Sequence, residues 1–192
     1  GTKQWSKLIG TSSEEIARDL AVDSSNNIYV VGESAGNFDS KSNNGDRDLF
    51  LIKYNSSGTK QWSKLVGSDK YDYGYSVITD SSGNVYITGG TSGNLISRDP
   101  GGTYSDFIIY KYNSSGTKQW EKQIGGTSKD WIDTGQDLTV DSSDNVIVTG
   151  MTMSGTFDGN DGLGGCSVVA CGYDIFLIKY DSSGTKQWGK RI

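Results

Sequence analysis

An all-β fold built from repeated four-stranded antiparallel sheets is what this sequence predicts, and three observations carry the prediction. The nine residues "YNSSGTKQW" at 54–62 return unchanged at 112–120 and, as "YDSSGTKQW", at 180–188. Around them short apolar runs recur at regular offsets, too short for helices and bounded by turn residues. The composition agrees: 27 Gly, 11 Tyr, 5 Trp and 1 Pro in 192 residues suit many short strands joined by tight turns.

Three markers define the repeat. "GTKQW" starts at 1, 58, 116 and 184, at steps of 57, 58 and 68. "DSSxN" starts at Asp23, Asp80 and Asp141, and Asp followed by an apolar run and "KY" starts at Asp48, Asp106 and Asp174. The longer last step comes from two connections, Trp120 to Asp141 and Gly150 to Asp174, so insertions spare the strands.

Each period holds four strand signals. The first is "DLAVD" from Asp19, matched by "SVITD" and "DLTVD"; the second is "NIYVVG" from Asn27, matched by "NVYITG" and "NVIVTG". The third, "DLFLIKY" from Asp48, is matched by "DFIIYKY" and "DIFLIKY", and its unbroken apolar run reads as a strand covered on both faces. The fourth, "TKQWSKLIG" from Thr2, is polar and carries Lys3 and Lys7, which suits a sheet edge. Between strands one and two the loop reads Asp-Ser-Ser-x-Asn, with Asn26, Gly83 or Asp144 at x. Between strands three and four it reads Asn/Asp-Ser-Ser-Gly, ending at Gly58, Gly116 and Gly184. These are the residues that tolerate positive φ, so all six positions are expected to be left-handed. The leading Asp or Asn is expected to cap the turn through its side chain.

Four antiparallel strands per repeat is the signature of a β-propeller blade. A single β-propeller segment over 1–192 is predicted, with blades at about 16–66, 73–124 and 132–192 and one extra outer strand at 1–9. Three blades make a partial ring, or one completed by oligomerisation. The expected partners are therefore further blades, from a longer parent chain or from other copies. In its Asp–apolar–Asp runs, in "SSGN" with "VYITGG" and in "DFIIYKYNSSGTKQW", the chain resembles the bacterial seven-bladed β-propeller repeat family, SBBP. The resemblance spans essentially the whole chain. It implies a secreted or surface-exposed protein, without a common enzymatic activity and without catalytic residues to carry over.

The totals exclude some functions. A formal net charge of −5 and a pI near 4.7 leave no basic stripe for nucleic acid. No run reaches the ~18–20 apolar residues of a membrane span. Cys166 and Cys171, in "GGCSVVACGYD", are expected to form a disulfide, which places the chain in an oxidising, extracellular or cell-surface setting. As half a metal site they lack any His or further Cys to complete the ligand set.

Trp5, Trp62, Trp120 and Trp188 admit two readings: a ring that stacks on sugars, or a lock of each outer strand onto its neighbour. The second is preferred, because similar glycine-to-tryptophan spacing serves docking in quinoprotein propellers. Asp158, Asn160 and Asp161 in "TFDGNDGLGG" offer oxygen donors to calcium without EF-hand spacing, and no other cofactor is expected. Blade geometry puts the 1–2 and 3–4 turns on one nearly invariant rim, and the 2–3 loops and interblade links on a long, variable one. Variable loops on a rigid frame are where recognition resides. The expected ligand or partner contacts are Asp46, Arg47, Arg98, Tyr104, Trp131 (in the insertion "SKDWIDTG") and Asp133. The expected function is a non-catalytic, extracellular or cell-surface repeat segment with a structural or interaction role, taking a protein or glycan ligand. The alternative is a carbohydrate-binding, lectin-like propeller. A third reading, a hydrolase or lyase, needs carboxylates converging on the variable rim. With no His and no nucleophile elbow, the chain is not expected to be an enzyme.

Overall fold

The computed structural model describes residues 1–96, 105–125, 132–153, 156–157, 160–161 and 172–192. Three four-stranded antiparallel sheets follow one another. The first is β1 (Glu15–Val22), β2 (Ile28–Ser34), β3 (Asp48–Tyr54) and β4 (Lys60–Val66), in that spatial order. The second is β5 (Asp72–Thr79), β6 (Val85–Thr91), β7 (Asp106–Tyr112) and β8 (Lys118–Ile124). In the third, β9 (Asp133–Val140), β10 (Val146–Thr152), β13 (Asp174–Tyr180) and β14 (Lys186–Arg191) adjoin in that order. A two-residue hairpin, β11 (Thr156–Phe157) and β12 (Asn160–Asp161), lies between β10 and β13 in sequence. These sheets are the blades of a partial β-propeller.

Turn chemistry sets the blade outline. Asn26, Gly83 and Asp144 have φ of 60°, 73° and 58°, and Gly58, Gly116 and Gly184 have φ of 75°, 81° and 84°. The Asp23 carboxylate accepts the backbone N–H of Ser25 and of Asn27, each at 2.9 Å, and Asp80 and Asp141 repeat the arrangement. Inside the blade, a register shift in β1, β5 and β9 falls opposite Gly32, Gly89 and Gly150. There a Cβ would sit 2.0 Å from the Ile16 carbonyl oxygen, 1.8 Å from that of Tyr73 and 1.9 Å from that of Thr134. The glycine ending each second-strand motif makes room for the bulge.

Burial explains the unbroken apolar third strand. Leu49 and Leu51 join Tyr29 and Val31 in a core shared with Val77, Val85, Ile87, Ile108, Tyr110 and Tyr112 of the second blade. Tyr86, Phe107 and Ile109 from the second blade join Leu138, Val146, Val148, Phe176, Ile178 and Tyr180 of the third. Successive residues of β7 thus serve opposite seams, which accounts for its unbroken apolar run from Phe107 to Tyr110.

Three of the four tryptophans, Trp5, Trp62 and Trp120, resolve in favour of docking. Trp62 Nε1 donates to the Ser114 carbonyl and Trp120 Nε1 to the Ser182 carbonyl, both at 3.1 Å, across the two seams. Each indole lies on the left-handed glycine of the acceptor turn, Gly116 or Gly184, where a Cβ would meet the ring at 3.0 or 2.8 Å. The same carbonyls take a second donor from the third strand, Lys53 Nζ at 2.9 Å and Lys111 Nζ at 2.8 Å. Residues 1–9 occupy the matching place ahead of the first blade. Trp5 Nε1 donates to the Ser56 carbonyl at 3.1 Å and its ring covers Gly58. These residues do not pair into a sheet, and Leu8 is fully exposed.

Candidate functional site

The variable rim is held by side chains at its base. Residue 48 opens β3 with a carboxylate whose Oδ2 accepts the Asn44 N–H at 3.0 Å, packed where Gly67 leaves no Cβ. Residue 72 opens β5, and its Oδ2 accepts the Ser68 N–H at 2.7 Å and the Ser68 hydroxyl at 2.9 Å. Both carboxylates are 0% exposed. Burial pushes Asp48 up, and pushes Asp72 up to about 6, with the Asp48 charge adding to it against hydrogen bonds from Ser68 and Thr91.

Above this base, Tyr71 just ahead of β5 and Tyr73 and Tyr75 within it take alternate positions, which extended backbone projects to one side. Their rings form a row with centroids 6.0 and 5.9 Å apart and planes within 6° and 8° of parallel. Tyr71 is exposed at the outer end of the row, and Tyr73 and Tyr75 are half-buried along it. The Arg18 guanidinium stands 5.8 Å from the Tyr75 ring centroid and is bound by Glu33, which lies wholly buried on β2. Arg47 pairs with Glu14, and its carbonyl accepts the Asp72 N–H at 2.8 Å, which ties the end of the first blade's long loop to the start of β5. Burial comes first in raising Tyr73 and Tyr75, and Glu33 adds to both, so the phenols stay protonated. The partnered carboxylates keep both arginines charged.

The patch thus offers three phenol rings and two arginines already oriented by carboxylates. The two acids at its base, both of raised pKa, are sealed from solvent. Its chemistry is that of a contact surface: planar apolar area with fixed donors at its margin.

Of the sequence-predicted contacts, Arg47 belongs to this patch and Asp46 stands exposed beside it. Asp133 does not belong to a surface. It is 1% exposed at the start of β9, and its N–H donates to the Ser105 carbonyl at 2.7 Å, so it repeats the structural place of Asp72 at the next seam. Arg98, Tyr104, Trp131, Asp158, Cys166 and Cys171 lie outside the described residues. Asn160 and Asp161 are described as backbone, in β12. Among the described residues no group of three or more acidic, His or Cys side chains is placed to hold a metal ion. No helix among them is long and apolar enough to cross a membrane. The tyrosine row was missed by sequence reasoning, although "YDYGY" (71–75) shows it as an alternation of period two, as a strand requires.

Comparison with known proteins follows the same lines. Over its whole length the chain is 25% identical to an uncharacterized WD repeat-containing protein of Acanthamoeba polyphaga mimivirus, and it spans 17% of that protein's length. Among solved structures, a protein of unknown function from Bacteroides caccae aligns with all of this chain and 72% of its own. The TM-score is 0.44 and the identity 9%. The family profile described as Beta-propeller repeat, SBBP, matches residues 4–39 and 61–96. Each matched stretch begins one residue before a docking tryptophan, Trp5 or Trp62; the first runs through β1 and β2, the second through most of β4 and all of β5 and β6, and both end in the variable loop. These two stretches are SBBP β-propeller repeats, and the chain is a propeller segment that carries them.

Proposed function

We propose that this segment is a non-catalytic recognition module that works outside the cell or on its surface, binding a protein partner through the variable rim between the first two blades. The observation that carries this reading is the row Tyr71, Tyr73 and Tyr75 beside Arg18 and Arg47. Tyrosine and arginine dominate the energetic centres of protein interfaces, and here both are held rigid before any partner arrives. The non-catalytic part rests on Asp48 and Asp72, two neighbouring acids of raised pKa that are both sealed from substrate. The extracellular part rests on Cys166 and Cys171, whose spacing suits a disulfide-closed loop.

The exposed Tyr71 ring also favours a second reading, a glycan stacked on the outer rung. The test is capture of cell-surface proteins by the immobilised chain, run beside a glycan array. Tyr71→Ala and Arg47→Ala are each expected to weaken protein capture by about tenfold while the fold is kept. A glycan signal lost in Tyr71→Ala selects the second reading. Binding that neither variant changes rejects the patch.

A further inference from the structure

The geometry points to one proton-binding unit beneath the tyrosine row, the buried carboxylates of Asp48 and Asp72, whose protonation in mild acid firms the contact surface above it. The inference rests on the proposed role of that surface and names its regulation. Each third strand opens with an aspartate, Asp48, Asp106 or Asp174. Two residues further along it, the cross-strand partner on the fourth strand is Leu65, Gln123 or Arg191. Gln123 Nε2 donates to Asp106 Oδ2 at 2.8 Å, and Arg191 Nε donates to Asp174 Oδ2 at 2.7 Å. Leu65 has nothing to donate. Asp48 Oδ2 accepts the Asn44 N–H, and its Oδ1 is buried with no hydrogen-bond partner.

Across the seam Asp72 is short of donors too. Ser68 fills its Oδ2, while its Oδ1 is buried without a donor of its own. The Thr91 hydroxyl on the paired strand gives its proton to the Gly93 carbonyl at 3.2 Å. The charged groups on the surrounding elements do not compensate. Arg18 of β1 is bound to Glu33 of β2, and Arg47, ahead of β3, to Glu14. Lys64 of β4 reaches the Gly116 turn, and Asp69 and Lys70 on the link into β5 are exposed and face each other at 4.0 Å. β5 itself adds the Tyr73 and Tyr75 phenols, which stay protonated. One added proton removes the repulsion between the two carboxylates and turns an acceptor-only group into a donor. Such a pair titrates as a unit.

The unit lies where the contact surface is assembled. Asp48 follows Arg47 in the chain, and Asp72 stands between Tyr71 and Tyr73 and donates its N–H to the Arg47 carbonyl at 2.8 Å. Through Asn44 and Ser68 the two carboxyls also hold the end of the first blade's long loop and the link that carries Tyr71. Two charges push loop and link apart, and one proton lets them close. The closed seam binds that proton more tightly than an open one, so acid favours the closed seam.

The test is amide hydrogen exchange, read by NMR on the chain alone at pH 7.5 and 5.5 and corrected for intrinsic rates. A carboxyl that titrates at about 6 in the closed seam and at an ordinary 3.8 in the open one makes protection of the Ser68 and Asp72 amides rise about fourfold between these pH values. Leu65→Gln, which gives Asp48 the amide that Asp106 already has, should cut the rise to less than about twofold. Asp72→Asn should show the higher protection at both pH values. The inference is overturned if the parent is equally protected at both, if either variant keeps the parent's rise, or if about 1 mM calcium firms the seam and acid does not. Capture of cell-surface proteins at the two pH values separates the two readings: a seam that firms in acid while nothing is captured supports the proton unit and rejects the recognition role.

Discussion

Gly116→Ala should destabilise the chain in a way that separates backbone strain from tryptophan docking. Gly116 has φ of 81°, a conformation that costs an L-residue roughly 1–2 kcal/mol. Against this, alanine restricts the unfolded chain and returns about 0.4–1 kcal/mol. The new Cβ would stand 3.0 Å from Trp62 Cδ2 and 3.1 Å from Cε2. The indole must slide, and its 3.1 Å bond to the Ser114 carbonyl, worth about 0.5–1.5 kcal/mol, is stretched or lost. The expected total is about 1–2.5 kcal/mol. Gly83→Ala supplies the control, since its φ is 73° but its added Cβ meets nothing nearer than 3.9 Å. It should cost only the backbone part, about 1 kcal/mol. Urea unfolding of both variants, with unchanged m-values, measures the difference, which should appear as about 2–4 °C in Tm. Equal losses at the two glycines would refute the claim that the indole contact carries energy.

Further outcomes follow from the same contacts. Gly83→Asp should lie within about 0.5 kcal/mol of the parent, because Asp144 holds that position in the third blade and caps Ser81. Lys111→Met should cost about 2 kcal/mol, since it takes an ammonium from the buried Asp80 and from the Ser182 carbonyl. Lys179→Met, at the half-open flank, should cost less than about 0.5 kcal/mol, and thermal melts compare the two. The pH profile has a sign set by Asp72. Its raised pKa, about 6 in the fold against an ordinary 3.8, means that the folded state holds its proton more tightly. Stability should therefore rise as the pH falls from 7 to 5. Below about pH 4 it should fall, because hydrogen bonds hold Asp23 and Asp39 below the usual carboxylate range and protonation removes that contribution. Asp72→Asn should raise Tm at pH 7.5 and have little effect at pH 5; the same shift at both pH values would count against a buried, raised carboxyl.

Local chemistry is what made much of the fold legible. The six left-handed turn positions follow from Asn26, Gly83, Asp144 and the three Gly of "SSG", because φ is decided by a residue and its neighbours. Burial of β3 on both faces follows from its unbroken apolar run. The tryptophan lock could be guessed as a type, but its acceptors could not be placed. Trp62 and Ser114 are 52 residues apart, and only the stacking of blades brings them together. The candidate patch was hidden for the same reason: Arg47 meets Glu14 across 33 residues and Arg18 meets Tyr75 across a seam. Asn43, in the variable loop between β2 and β3, is anchored in a way its loop position does not show: its amide donates to the Ser34 carbonyl at 2.9 Å and its Oδ1 accepts the Gly45 N–H at 2.9 Å.

The two-donor carbonyl at each seam bears on how such arrays grow. A stretch such as Tyr112 to Trp120 holds both an acceptor, the Ser114 carbonyl, and a donor, Trp120, aimed in opposite directions. A gene segment one repeat long therefore encodes a unit that already fits its predecessor and its successor. Duplication or loss of such a segment leaves every remaining junction chemically unchanged, so blade number can drift by recombination without compensating substitutions. Selection is then left to act on the outer loops, which take no part in the indole and ammonium contacts of the junction and diverge from one blade to the next within a single chain.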